Sequence, residues 1–496
     1  MLMLGNLRAM MYEFIGRQSE VAQLNKLSNS YRSELVVIRG RRRIGKSRLV
    51  EEFAKDKMYL AFSGVTPVAT TTAQSERDEF ANQLAAHFHV PTMTFKDWND
   101  AFRQLSHQIK LVKVDRPIVV LLDEISWMGS ADLHFIPKLK LWWDRLNMRM
   151  ENHPKITLVL CGSVSTWVEE NVINSAALFG RISALFNLTD LSVADSYRFL
   201  RLKGVKYSTM DMLKILAVTG GVPWYLERID PSITADSNIK KLCFEREGAF
   251  VGEYDRIFHD LFHDKGTIYK KIINRLGQGM CDLSEIRTHL SYSHGGTLSH
   301  YLQHLMTAGF VTKHASWSFK TEKLGKQSLY RLSDNYLSFY IKYIEPNLSK
   351  IQANMYEDIT LSQLPSWEVI LGFQIETLLL NNRAVLIKAL GIAPSDVVAD
   401  NPYVQRATAK LKGCQIDYLV QTRFKTLYVC AFKFRNRELG IDIIDSMKEK
   451  IARLAVPRGF GVAPVLIHVG GVQDALATSQ YFYRILDLED FLQGKV

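Results

Sequence analysis

Gly40-Arg41-Arg42-Arg43-Ile44-Gly45-Lys46-Ser47 is the stretch that leaves this chain least freedom. Glycines on either side of four residues let the backbone turn tightly, so that successive N–H groups face one concavity, and an ammonium and a hydroxyl follow at once. A short apolar run, Leu35–Arg39, leads in, and a helix-like stretch, Lys46–Ala54, leads out. Strand, glycine turn and helix N-terminus make an anion cradle with a positive end. The pattern is a phosphate loop: Lys46 reaches the β- and γ-phosphates of a nucleotide and Ser47 offers a ligand to Mg2+. A full match arises by chance in roughly one protein of this length in fifty. The expected nucleotide contacts here are Gly40, Arg41, Arg42, Arg43, Ile44, Gly45, Lys46, Ser47 and Arg48, with ATP and Mg2+ as the cofactors.

A second motif supports the first. Ile118-Val119-Val120-Leu121-Leu122-Asp123-Glu124 is a continuous apolar run ending in two carboxylates. A strand buried on both faces does not end so without a reason. Asp123 is expected to hold Mg2+, and Glu124 to orient and deprotonate the attacking water. Between and beyond these motifs the pattern alternates. Strands are expected at Met58–Val65 and Ile156–Cys161, and helices at Thr71–His89, Phe95–Leu111 and Leu139–Met150. Alternation of this kind implies an α/β fold with a parallel sheet between helices. Ser163, at the end of the Ile156–Cys161 strand, is a candidate γ-phosphate sensor or a plain turn residue. Arg181, in Leu178-Phe179-Gly180-Arg181, is a candidate arginine finger across a subunit contact or a structural arginine.

The bulk properties limit the alternatives. At 496 residues the chain is long enough for about three domains. Its net charge of +11 is compatible with an acidic partner such as nucleic acid, and equally with an incidental basic excess. The five cysteines are scattered and form no CxxC pair, which argues against a zinc site or disulfide framework and for a reducing, cytoplasmic setting. No run of about 18 apolar residues occurs, so no membrane partner is expected, and Met1–Met11 lacks a cleavable signal pattern.

Together these residues resemble the archaeal-type ATPases of the AAA+ and STAND division of P-loop proteins. Phe14-Ile15-Gly16-Arg17-Gln18-Ser19-Glu20 resembles their N-terminal element, which implies that Phe14, Ile15, Gly16 and Arg17 lie near the adenine. Gly220-Gly221-Val222-Pro223 resembles the GxP motif of the helical lid, which implies that the Pro223 backbone approaches the nucleotide. The resemblance implies an ATPase core at 12–192, a helical lid at 193–262, a winged helix at 263–346 and a PD-(D/E)xK nuclease-like domain at 347–496. In the winged helix, Ser299, His300, Gln303 and His304 would face DNA bases and Lys313, Lys320, Lys323 and Lys326 the phosphates; a docking module that never meets DNA fits the same residues. In the last domain Glu376, Asp417 and Lys433 match the nuclease positions, but Ala431 stands where the second carboxylate is needed. That loss favours a fold retained for binding nucleic acid or protein over metal-dependent cleavage. The expected function is an ATP-hydrolysing switch coupled to DNA, with an ATP-gated nuclease or a protein-recognising scaffold as alternatives. A second copy of the chain is a further candidate partner.

Overall fold

The computed structural model describes residues 13–68, 70–112, 116–148, 155–262, 266–292, 295–356, 359–409, 411–435 and 437–495, so the Met1–Met11 expectation lies outside it. Two compact units emerge among the described residues: Gly16–Thr189, and Asp190 onward together with Glu13–Ile15.

The first unit is built on five parallel strands, β1 (Glu34–Gly40), β2 (Met58–Ser63), β3 (Ile118–Asp123), β4 (Ile156–Ser163) and β5 (Ile182–Leu188), in the order β2-β3-β4-β1-β5. β1, β3 and β4 are buried along nearly their whole length, as their continuous apolar sequences require. β5 was not expected. It is an edge strand whose exposure alternates, and its sequence lacks an apolar run. The helices begin where their caps dictate. Ala73–Phe88 starts after Thr72, which forms a capping box with Ser75, and Trp98–Leu111 starts after Asp97, whose carboxylate accepts from the N–H groups of Asn99 and Asp100. These helices cover one face of the sheet with an aromatic stack: Phe62 on Phe80, Trp98 on Phe102, and Phe102 on Trp142.

The second unit opens with helices Val193–Leu202, Thr209–Thr219, Pro223–Glu227, Ala235–Cys243 and Glu253–Phe262. Helix Gly266–Gly277, β6 (Cys281–Asp282), helices Leu283–His289 and Gly295–Thr307, and the hairpin β7 (Val311–Trp317) and β8 (Leu324–Leu332) follow, in a small antiparallel sheet of order β6-β8-β7. After helix Trp367–Asn381 comes a mixed sheet of β9 (Val397–Gln405), β10 (Cys414–Thr422), β11 (Thr426–Phe434), β12 (Gly461–Val469) and β13 (Arg484–Asp487). Its order is β13-β12-β11-β10-β9, antiparallel from β9 to β11 and parallel from β11 to β13.

The β7–β8 hairpin does not stand free. Trp317 and Phe319 are buried with Ile416, Val429 and Ala431 in one apolar core. The Trp317 indole N–H donates to Gln421 Oε1 at 2.8 Å, and Gln421 Nε2 donates to the Phe319 carbonyl at 3.0 Å. Phe319 stacks on Tyr403. Lys313, Lys320 and Lys323 point to solvent from this hairpin, while the Lys326 side chain lies outside the described residues. Among the described residues no single helix is long and apolar enough to cross a membrane.

Candidate nucleotide site

The loop between β1 and helix Lys46–Phe53 has the turn its sequence demands. Gly45 has φ 88°, a left-handed conformation that glycine adopts without steric cost, and Arg43 has φ 69°. Lys46 is buried, and its ammonium donates to the carbonyls of Gly40 and Arg41, at 3.3 Å each. It therefore curls over the loop that it would share with a phosphate. Just ahead of the loop, Arg39 is pinned by Glu169 and by Asn187 of β5.

The two motifs meet across space. The Ser47 hydroxyl donates to Asp123 Oδ2 at 2.6 Å, and Asp123 Oδ1 accepts from the Glu124 N–H at 3.0 Å. A hydroxyl and a carboxylate oxygen converging beside a phosphate loop suit a hard, oxygen-seeking cation such as Mg2+. Glu124 has φ 48° and turns the chain from β3 into helix Ile125–Ser130. Ser163 is level with Gly40, because β4 lies directly beside β1 in parallel register. The carboxyl ends of β1, β3 and β4 thus carry the loop, the acidic pair and the serine together, at the edge of an open α/β sheet where ligands bind. Behind them Cys161 is fully buried, and burial with the nearby Asp123 charge pushes its thiol well above its ordinary value. The N-terminal element reaches the loop as well: Gly16 and Arg17 both have positive φ, and the Arg17 guanidinium donates to the carbonyls of Ile44, at 3.3 Å, and Thr189.

Residues 14–229 match a family described as an ATPase domain predominantly from Archaea. This segment, which carries the site just described, is similar to that family. A protein of Methanocaldococcus jannaschii is 24% identical over 350 residues, spanning 69% of this chain and 72% of its own length. Among solved structures, a Walker-type ATPase of Pyrococcus abyssi shares 15% identity with a TM-score of 0.47, over 66% of this chain and 96% of that one. The ORC2 protein of Aeropyrum pernix, solved as ADPNP and ADP complexes, shares 18% identity with a TM-score of 0.41, over 69% of this chain and 96% of its own.

Several residues around the ATPase site carry no motif. The Ser63–Val65 segment after β2 lies against the Glu124 turn. Gly64 N–H donates to the Asp123 carbonyl at 3.1 Å, and a Cβ on Gly64 would sit 3.0 Å from the Glu124 carbonyl oxygen and 2.9 Å from Trp127 Cβ. Gln83 holds this segment by two hydrogen bonds to the Ser63 backbone, at 2.7 and 3.0 Å, and buried Glu76 accepts from the Val65 N–H at 3.1 Å. Burial raises the Glu76 carboxyl above its ordinary range. Trp127 also lies under the Arg42 guanidinium of the phosphate loop, 5.9 Å from ring centre to guanidinium carbon. Arg181 is paired within the chain: Asp144 grips it through two oxygens at 2.6 and 3.0 Å, and the arginine holds that carboxyl below its usual range.

In the second unit Pro223 opens the helix Pro223–Glu227. Of the four candidate base readers, Ser299, His300 and Gln303 are exposed, but His304 Nδ1 is hydrogen-bonded to the Tyr269 hydroxyl at 2.7 Å, so that ring packs inward. Asp417 and Glu376 interact electrostatically, and burial together with the Asp417 charge pushes Glu376 up to about 7. Lys433 stands close enough to Asp417 to feel its charge, and burial lowers its ammonium from the ordinary value. The residue that the sequence reading missed is Lys450, on helix Asp442–Arg453, whose ammonium lies 3.1 Å from Asp417 Oδ1.

Proposed function

We propose that this chain is an ATP-hydrolysing conformational switch whose second unit recognises DNA. The reading rests on one observation above all, the 2.6 Å contact that joins Ser47 to Asp123 beneath a buried Lys46. Lys46 exchanges its two loop carbonyls for the β- and γ-phosphate oxygens, which are stronger acceptors because they are charged. Ser47 and Asp123 would hold Mg2+, which when bound would supply positive charge to offset that on the phosphates. Glu124, aimed by its left-handed turn, takes a proton from the attacking water. Ser163, level with Gly40, is positioned to sense the γ-phosphate. Arg17, anchored on the loop backbone at Ile44, holds Gly16 beside the loop. The assay is steady-state ATP hydrolysis with Lys46→Ala and Glu124→Gln. The first should lose nucleotide binding and the second should bind ATP while turning over slowly. A Glu124→Gln protein with unchanged turnover removes Glu124 as the base.

DNA recognition is assigned to the exposed face of helix Gly295–Thr307, through Ser299, His300 and Gln303. A specific observation favours a second reading, in which this module docks within the protein instead: its hairpin already shares a core with β10 and β11. Duplex binding that weakens as salt rises supports the DNA reading, and absence of binding at low salt leaves internal docking. The nuclease alternative is the less supported, because Ala431 is apolar and buried in that same core.

A further inference from the structure

β2 is an edge of the parallel sheet: β3 pairs with one side of it, and among the described residues no strand pairs with the other. Backbone groups on an open edge still need partners. Helix Ala73–Phe88 supplies them from its side chains, at every second residue of the edge. His87 Nε2 lies 2.7 Å from the Ala61 carbonyl oxygen. The Gln83 amide accepts from the Ser63 N–H at 2.7 Å and donates to the Ser63 carbonyl at 3.0 Å. Glu76 Oε2 accepts from the Val65 N–H at 3.1 Å. Glu76, Gln83 and His87 are seven and four positions apart, so they share one face of the helix, and Phe80 of that face stacks on Phe62 of β2.

The residue between two of these anchors faces the other way. Gly64, between Ser63 and Val65, donates to the Asp123 carbonyl at 3.1 Å. It packs so closely that a Cβ there would come within 3.0 Å of the Glu124 carbonyl oxygen and the Met128 nitrogen. That same Glu124 carbonyl accepts from the Trp127 N–H at 2.8 Å. The helix thus grips one side of a three-residue segment whose other side seats the Glu124 turn. Stability alone does not account for the grip. Glu76 is only 2% exposed, and its Oε1 finds no hydrogen-bond partner among the described residues. Burying a carboxyl so incompletely met costs stability.

We propose that Glu76 and Gln83 are positioning residues for ATP hydrolysis: they brace Ser63–Val65, and the braced segment holds the Glu124 turn where its carboxylate meets the attacking water. The inference rests on the reading of Glu124 as the base. Neither side chain acts on the reacting atoms itself. Each works through the backbone of the segment, so losing a brace slows turnover without loosening the nucleotide, which Lys46 and the phosphate loop hold.

The test compares Glu76→Met and Gln83→Met, which keep the bulk and remove the hydrogen bonds, with Glu76→Gln, whose amide oxygen still accepts from Val65. All are assayed well below their melting temperatures. In both methionine variants kcat should fall about tenfold with nucleotide Kd within about twofold, and Glu76→Gln should keep the parent's kcat. In a Glu124→Gln background, Glu76→Met should lower the residual turnover by less than about twofold, because the group it aims is already gone. Amide hydrogen exchange of the nucleotide-free chain gives a readout other than turnover: in Glu76→Met the Trp127 N–H should exchange faster together with that of Val65, and Glu76→Gln should restore both. The proposal is overturned by an unchanged kcat in either methionine variant, by an equally large fall in the Glu124→Gln background, by a joint loss of kcat and affinity, or by exchange that quickens at Val65 alone. The catalytic reading fails differently. A parent that hydrolyses no ATP, or a Glu124→Gln protein that turns over like the parent, removes that reading and this proposal with it; an active parent whose turnover the methionine changes leave alone removes the proposal only.

Discussion

Gly64→Ala tests whether the ATPase site is aimed from outside its motifs. Gly64 does not occupy the left-handed region, so the backbone itself tolerates alanine there. The cost is space. The new Cβ would lie 2.9 Å from Trp127 Cβ, 3.0 Å from the Glu124 carbonyl oxygen and 3.0 Å from the Met128 N–H nitrogen, and two of those three neighbours are backbone. Real contacts of this kind sit several tenths of an ångström further apart, and overpacking at such a position costs about 1–3 kcal/mol. The Ser63–Val65 segment cannot easily yield, because Gln83 ties it at Ser63 and Glu76 at Val65. The yielding side is therefore the Glu124 turn, already at φ 48°. A displacement near 1 Å of a group that must meet a water in line costs on the order of a hundredfold in rate. The expected result is kcat reduced 10- to 100-fold, nucleotide Kd within about twofold, since Lys46 and Ser47 are untouched, and a melting temperature lower by several degrees. Turnover kinetics with a fluorescent-nucleotide Kd separates these effects. An unchanged kcat alongside a lowered melting temperature refutes the idea that this segment positions Glu124. A parallel loss of binding shows that the whole cradle has shifted instead.

Asp144→Asn removes the charge that grips Arg181; if Arg181 serves a neighbouring subunit, turnover should rise with protein concentration more steeply than in the parent, read by ATPase rate across a dilution series. Trp317→Ala deletes a buried indole and its hydrogen bond to Gln421, and should destabilise the second unit by about 3–5 kcal/mol, seen by thermal unfolding, with ATP affinity unchanged. Glu376→Gln tests the buried carboxyl: its folded value near 7 lies above the unfolded one, so the native state holds the proton more tightly and stability falls as pH rises through the interval between them. The variant should therefore be more stable than the parent at pH 8, by at most about 3 kcal/mol, with that gain shrinking towards pH 5; an equal gain at both pH values removes the titration as its cause.

The ATPase site was legible because its chemistry is local. Two contiguous stretches, each reading as a buried strand that ends in polar groups, pointed to Lys46, Ser47, Asp123 and Glu124, and the structure brings Ser47 within hydrogen-bond reach of Asp123, 76 positions further along the chain. What the local pattern does not carry is adjacency. That β4 separates β1 from β3, and so sets Ser163 beside Gly40, follows from strand order, which no window of sequence encodes. The missed strands share a cause. β5 and β9 are sheet edges, where one side of the ladder is open and apolar content is not required. β9 even includes Asp400, Asn401 and Pro402, residues that central strands avoid and edges tolerate.

The same limit explains the second unit. Asp417 and Lys433 were found because they lie in neighbouring strands with recognisable residues, but the group that decides their chemistry, Lys450, comes from a helix 33 positions beyond Asp417. On an exposed helix a lysine is ordinary, and only its placement against Asp417 gives it meaning. Likewise the β7–β8 hairpin reads in isolation as a free wing with lysines for phosphate. In the fold its alternate residues, Trp317 and Phe319, are spent on a shared core, while Lys320 and Lys323 stay exposed beside them. Alternation along the hairpin thus leaves a cationic face outward while its apolar face is committed inward. Any acidic partner must meet this hairpin from the lysine side, and any motion that frees the hairpin must first expose the indole of Trp317 and break its bond to Gln421.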